Sequence, residues 1–151
     1  VSRNERTEIE SEIERLLQPL KTDAILRSVV SVGGEDYFRV LKAAMATVPF
    51  AMIKYTGKAG SVIQGGLMHY EAEVSVLVGQ NSFSGILQRR KNIHEILEAV
   101  EDQLALQRIR PETESYYPLI LTAEQWSEIS GGGLEVWEQR YQLAWEEHYE
   151  S

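Results

Sequence analysis

A chain of 151 residues, 43% hydrophobic and 25% charged, has the length and make-up of one ordinary globular domain. At that size it buries on the order of two-thirds of its unfolded surface without help from a disulfide or metal. Zero cysteines exclude disulfides, thiolate zinc sites and cysteine nucleophiles together, and no apolar run approaches the roughly 20 residues of a membrane helix. The net charge of −8, with 15 Lys and Arg against 23 Asp and Glu, argues against sequence-specific nucleic-acid binding, because such surfaces concentrate basic side chains to release counterions. The one basic cluster, Arg89-Arg90-Lys91, is followed closely by Glu95, Glu98, Glu101 and Asp102. Val1 opens a charged segment without an apolar signal core, so no secretory signal is expected.

Residues 2–20 read as a helix, because Ile9, Ile13, Leu16, Leu17 and Leu20 form a single apolar stripe. Ser2 or Asn4 is its candidate cap, and Thr7 with Glu10 has capping-box spacing. Its glutamates, Glu5, Glu8 and Glu10, read as a solvated face near the positive end of the helix dipole, and Pro19 marks its end. Ala24 to Val32 turns β-branched and predicts a strand closed by Gly33-Gly34. Asp36 then caps a short helix carrying Phe38, Leu41, Ala44 and Met45. Pro49 stands before a strand from Phe50 to Tyr55, whose run Phe50-Ala51-Met52-Ile53 predicts burial on both faces.

Thr56 to Gly66, rich in Gly and small polar residues, reads as an extended hairpin arm or a mobile loop; removing Gly57 to Gly65 is expected to spare folding and harm assembly. Gly57-Lys58-Ala59-Gly60-Ser61 only superficially resembles a phosphate loop, which needs to open a helix and to end on adjacent Lys and Ser or Thr. The next strand alternates cleanly: Tyr70, Ala72, Val74, Val76 and Val78 share a core face, and His69, Glu71, Glu73, Ser75 and Leu77 a face that is wet or covered by a partner. After it, Ser82 or Ser84 caps one long helix reaching Leu106, with Ile86, Ile93, Leu97, Val100 and Leu104 as its stripe and His94 at the boundary.

Residues 111–118 read as a linker, and the chain closes in a hairpin turning at Gly131-Gly132-Gly133. Its return strand puts Glu135, Trp137, Gln139, Tyr141, Leu143 and Trp145 on one face. Trp126, Trp137 and Trp145 suit a core and an interface equally, Trp and Tyr being preferred interface anchors.

Chemistry is harder to find than architecture. His69, His94 and His148 are scattered, with neither zinc-helix spacing nor a Gly-x-Ser-x-Gly elbow nearby. Glu71 and Glu73 share a strand face, as acid–base or metal chemistry wants, but no adjacent Lys, His or Asp motif completes a site. No enzyme activity, cofactor or metal is expected.

The chain resembles, over nearly its whole length, the Mu-like phage and prophage tail protein family catalogued as a domain of unknown function and similar to tail terminators. The carriers are the Ile9-to-Leu20 helix, Pro49-Phe50-Ala51-Met52-Ile53, Val74-Ser75-Val76-Leu77-Val78 with its polar turn and helix, and Pro118-Leu119-Ile120 running to Gly131-Gly132-Gly133-Leu134-Glu135-Val136-Trp137. The Thr56 to Gly66 stretch and the acidic Glu146-Glu147-His148 end depart from that pattern. The implied fold is one α+β domain over residues 1–151, a mixed, mainly antiparallel sheet with helices packed on one face, tail-terminator-like. The implied role is a structural one in the virion tail, assembled in the host cytoplasm: a homo-oligomer, a hexameric ring capping tail tube and sheath and forming the joining surface for the head–tail connector, with no membrane partner. Interface candidates are His69, Glu71, Glu73, Leu77, Lys58, Trp137, Tyr141 and Trp145. The alternative is a small adaptor or binding domain, or an unrecognised enzyme using Glu71 and Glu73 with His69.

Overall fold

In a computed structural model, which describes residues 5–81, 92–109 and 117–148, the elements run α1 (Glu5–Thr22), β1 (Ser28–Ser31), α2 (Tyr37–Met45), β2 (Phe50–Gln64), β3 (Leu67–Asn81), α3 (Ile93–Leu104), β4 (Ile120–Trp126) and β5 (Leu134–His148). This is the element order expected from the sequence. The strands form one five-stranded sheet in the order β1-β2-β3-β5-β4. β1 lies parallel to β2, and every other pairing is antiparallel. The architecture is therefore α+β with a mixed, mainly antiparallel sheet.

Two long hairpin strands form the middle of the sheet. β2 and β3 are joined at Gly65-Gly66, with φ of 54° and 83°, the left-handed pair that a two-residue hairpin turn requires and that glycine adopts without steric cost. What reads as a Gly-rich arm or loop is thus the distal half of a 15-residue strand, paired with β3 as far as Gln64↔Leu67 and bulged between Tyr55 and Gly57. β3 pairs with β5 without interruption from Leu67↔His148 to Asn81↔Leu134. At Gly79 a Cβ would stand 2.2 Å from the Phe50 ring, so the close approach of β2 and β3 there depends on glycine.

The helices divide between the two faces. α1 and α3 bring Ile9, Ile13, Leu17, Ile96, Val100 and Leu104 onto Ala51, Ile53, Val74, Val76, Tyr141 and Leu143. On the opposite face α2 seats Leu41 and Ala44 on Phe50, Met52, Leu77 and Val136. An apolar run such as Phe50-Ala51-Met52-Ile53 demands cover on both sides, and α2 supplies the second. A sheet covered on one face only is thereby corrected to two helices on one face and one on the other.

Element ends show where local pattern and tertiary context part. Asp36 caps α2 as expected, its Oδ1 accepting from the N–H groups of Phe38 and Arg39. α1 continues past Pro19 to Thr22, because a proline so near the end removes one donor while its own carbonyl still accepts from Asp23 N–H at 2.9 Å. α3 starts at Ile93. Asn92 is extended (φ −76°, ψ 172°) and caps a helix starting at Ile93, its side chain accepting from Glu95 N–H. The Ser2, Asn4, Ser82 and Ser84 caps, Ile86 and the 111–116 part of the linker lie outside the described residues.

Candidate interaction surfaces

β3 alternates as its sequence does, but its outward row meets different surroundings along its length. Near the hairpin end, Glu71 and Glu73 are exposed and His69 is half-buried. His69 Nε2 stands 3.4 Å from Glu71 Oε1 and its Nδ1 3.6 Å from Glu146 Oε1, and Glu146 also accepts from the Tyr117 hydroxyl at 3.3 Å. On the adjoining strand β5, Arg140 bridges Glu138 at 3.0 Å and Glu73 at 3.7 Å. Glu138 accepts further from the Ser75 hydroxyl and from Gln125. Charges laced across neighbouring strands keep such a face wetted and in register, each exposed pair contributing on the order of 0–1 kcal/mol. Among the described residues no group of three or more acidic or imidazole side chains is arranged to hold a metal ion.

Leu77 belongs to the same row yet is buried beneath α2 with Phe50 and Met52. It packs the core and offers no surface to a partner. Tyr141 and Trp145 are corrected in the same way. Both are almost wholly buried under α1 and α3, because β5 has the sheet on either side and helices over that face. Trp137 is half-buried, edge-on to His94 at 5.6 Å, and its Nε1 donates to Glu135. It sits at the margin of the core, against the exposed His94 ring. Lys58 lies on the other face from His69 and Glu71: its ammonium is 4.4 Å from the Tyr70 ring and 5.6 Å from that of Trp145, a cation–π lid over the core's end. Of the eight candidates, His69, Glu71 and Glu73 alone come together as one outward patch.

Two buried polar arrangements carry no signal in local sequence. Gln139, fully buried on β5, accepts from the Tyr141 hydroxyl at 2.7 Å and donates to the Leu97 carbonyl at 3.0 Å and to Glu124 at 2.8 Å, tying α3 to the sheet. Burial, then the negative charges of Glu101 and Glu124, hold the Tyr141 phenol far above the usual tyrosine range. Glu10, expected on a solvated face, is instead buried. Its two oxygens accept from Gly33 N–H at 2.7 Å and Tyr55 N–H at 2.9 Å, binding α1 to the end of β1 and the bulge of β2.

The exposed apolar residues mark other surfaces. At the tip of the β2–β3 hairpin Val62 is 69% exposed and Ile63 49%, on a strand whose residues from Lys58 outward are exposed on both faces. On edge strand β4, Ile120 and Trp126 are each 52% exposed. Patches of this kind at the rim of a polar face are where partner contacts concentrate.

No protein-family model matches the chain, and no curated protein matches it.

Proposed function

We propose that the protein is a structural component of a phage or prophage tail, a terminator that caps the tail as a ring of identical subunits and presents the surface to which the head is joined. The observation that carries this reading is the hairpin arm: β2 and β3 run 15 residues each, and the arm ends in Val62 and Ile63, turned to solvent. An apolar tip on a paired arm is a contact device. It costs solubility in a free monomer and gains burial against a partner. The resemblance in the helix–strand order and in the aromatic last strand supplies the kind of partner, the tail tube and its sheath.

The experiment is addition of purified protein to tail tubes lacking a terminator, viewed by negative stain. Wild-type protein is expected to form rings at the tube end. A protein with Val62→Ser and Ile63→Ser should unfold at the same urea concentration as wild type but leave tube ends uncapped. Tubes left uncapped by the wild-type protein, which also stays monomeric at high concentration, would sink the terminator reading. A second reading, a small binding domain centred on His69, Glu71 and Glu146, is favoured by the contacts among those side chains. It ranks behind because these contacts lie at the surface, where a ligand competes with water for each of them.

A further inference from the structure

The sheet has, among the described residues, two unpaired edges, and they match. Among the described residues β1 pairs only with β2, and β4 only with β5. An edge strand offers unpaired main-chain groups to any other strand, and proteins blunt such edges with Lys, Pro or a bulge. β4 has neither Lys nor Pro. Its one irregularity lies between Leu121 and Ala123, leaving Ala123, Glu124, Gln125 and Trp126 in unbroken register with β5. That regular run is as long as the four residues of β1, Ser28–Ser31.

The strand directions settle how the edges would meet. β1 runs with β2, β3 runs against β2, β5 against β3, and β4 against β5. β4 therefore points opposite to β1, so laying β4 of one copy beside β1 of the next forms an antiparallel ladder with both sheets facing the same way. The pairings also place Val29, Ala51, Val78, Trp137 and Trp126 on one row across all five strands. Four members of that row are buried or half-buried on the face covered by α1 and α3. Trp126 ends it half in water, with nothing described beyond it.

We infer that β4 of one copy pairs with β1 of the next, Trp126 opposite Val29, so that the five-stranded sheet continues from subunit to subunit. Charge supports that register. Antiparallel pairing of Trp126 with Val29 sets Ser127 opposite Ser28 and brings Glu128, in the turn after β4, toward Arg27, in the bend before β1; both charged residues are exposed. No Lys or Arg occurs from Tyr117 to Leu134, whereas beside the β1 edge Arg27 is exposed and Arg39 is paired with Glu35, with Glu14 accepting from the Ser31 hydroxyl. Two β4 edges meeting across a two-fold axis would bring Glu124 and Glu128 toward their own kind. The contact between β4 and β1 joins unlike surfaces, which generates a closed ring or an open filament rather than a dimer. Main-chain pairing supplies the attraction, and the row of side chains supplies the register.

The inference rests on the ring reading above, and its test separates the two. Because the chain has no cysteine, Arg27→Cys with Glu128→Cys carries only two thiols, on residues that the contact brings together just beyond the paired run, within reach of a disulfide. Mild oxidation should give a covalent ladder of dimers, trimers and larger species, whereas either single variant should stay uncrosslinked. As a second measurement, Arg27→Glu or Glu128→Arg alone should weaken self-association by roughly tenfold, and the double reversal should restore it. Efficient dimerisation of the Glu128→Cys variant alone would overturn the inference in favour of a two-fold β4 contact, and absence of any ladder would overturn it outright. Rings visible by negative stain without a ladder leave the terminator reading standing and remove this contact. A ladder from a protein that does not join tail tubes does the reverse.

Discussion

Tyr141 shows at the scale of one residue how an aromatic that suits an interface is claimed by the core. Its hydroxyl donates to Gln139, and burial together with Glu101 and Glu124 raises its pKa. The folded pKa lies above the unfolded value of about 10, so the contribution of the neutral phenol is complete below that pH and is lost as pH rises toward the folded value. Tyr141→Phe removes the hydroxyl donor and leaves Gln139 Oε1 without it, at a cost of about 1–2 kcal/mol at pH 8. At pH 11 the wild type alone forfeits a further contribution of about 1.4 kcal/mol, because only its unfolded chain ionises at this position. Urea midpoints of the two proteins should therefore converge between pH 8 and 11. A gap that stays constant would mean that the phenol titrates normally in the folded protein.

At the scale of elements, what was legible in the sequence was whatever a strand or helix determines by itself. The alternation of Tyr70 to Val78 gave β3 its two faces, and Asp36 gave α2 its start. The same alternation misplaced Leu77, since period two says which residues share a side but not that α2 lies over one end of that side and water over the other. The sevenfold spacing from Ile86 to Ile93 suggested a single helix, while the signal that a helix begins at Ile93 was also present: an Asn with Glu three residues on. Glu10 was beyond reach, because its partners, Gly33 and Tyr55, are 23 and 45 residues away. It also ties α1 to the sheet through two backbone N–H groups. Glu10→Ala leaves two backbone N–H groups unmet and should cost about 3 kcal/mol. Glu10→Gln, which keeps one acceptor, should cost less. Both are read from denaturant midpoints at unchanged slope. Equal stability of all three proteins would return Glu10 to the solvated face where its spacing first placed it.

At the scale of the whole molecule, charge decides when copies can meet. Each carries −8 at neutral pH, so identical subunits repel one another over a distance set by the Debye length, roughly 8 Å at physiological salt. The proposed contact between β4 and β1 is four residues long and is opposed by that repulsion. An acidic subunit that associates weakly in solution and more readily on a tail template, where the arm tip at Val62 and Ile63 also finds cover, would avoid premature polymerisation. The sequence pI of about 4.9 makes this testable without any partner. Lowering pH from 8 toward 6 at low salt, or adding salt at pH 8, should raise the weight-average mass in sedimentation by weakening the same repulsion. Trp126→Ser leaves net charge untouched and removes the apolar end of the row that crosses the sheet. If edge pairing is what repulsion restrains, this variant stays monomeric where the wild type associates. If both associate alike, the gain is isoelectric aggregation, and the charge of the molecule says nothing about its assembly.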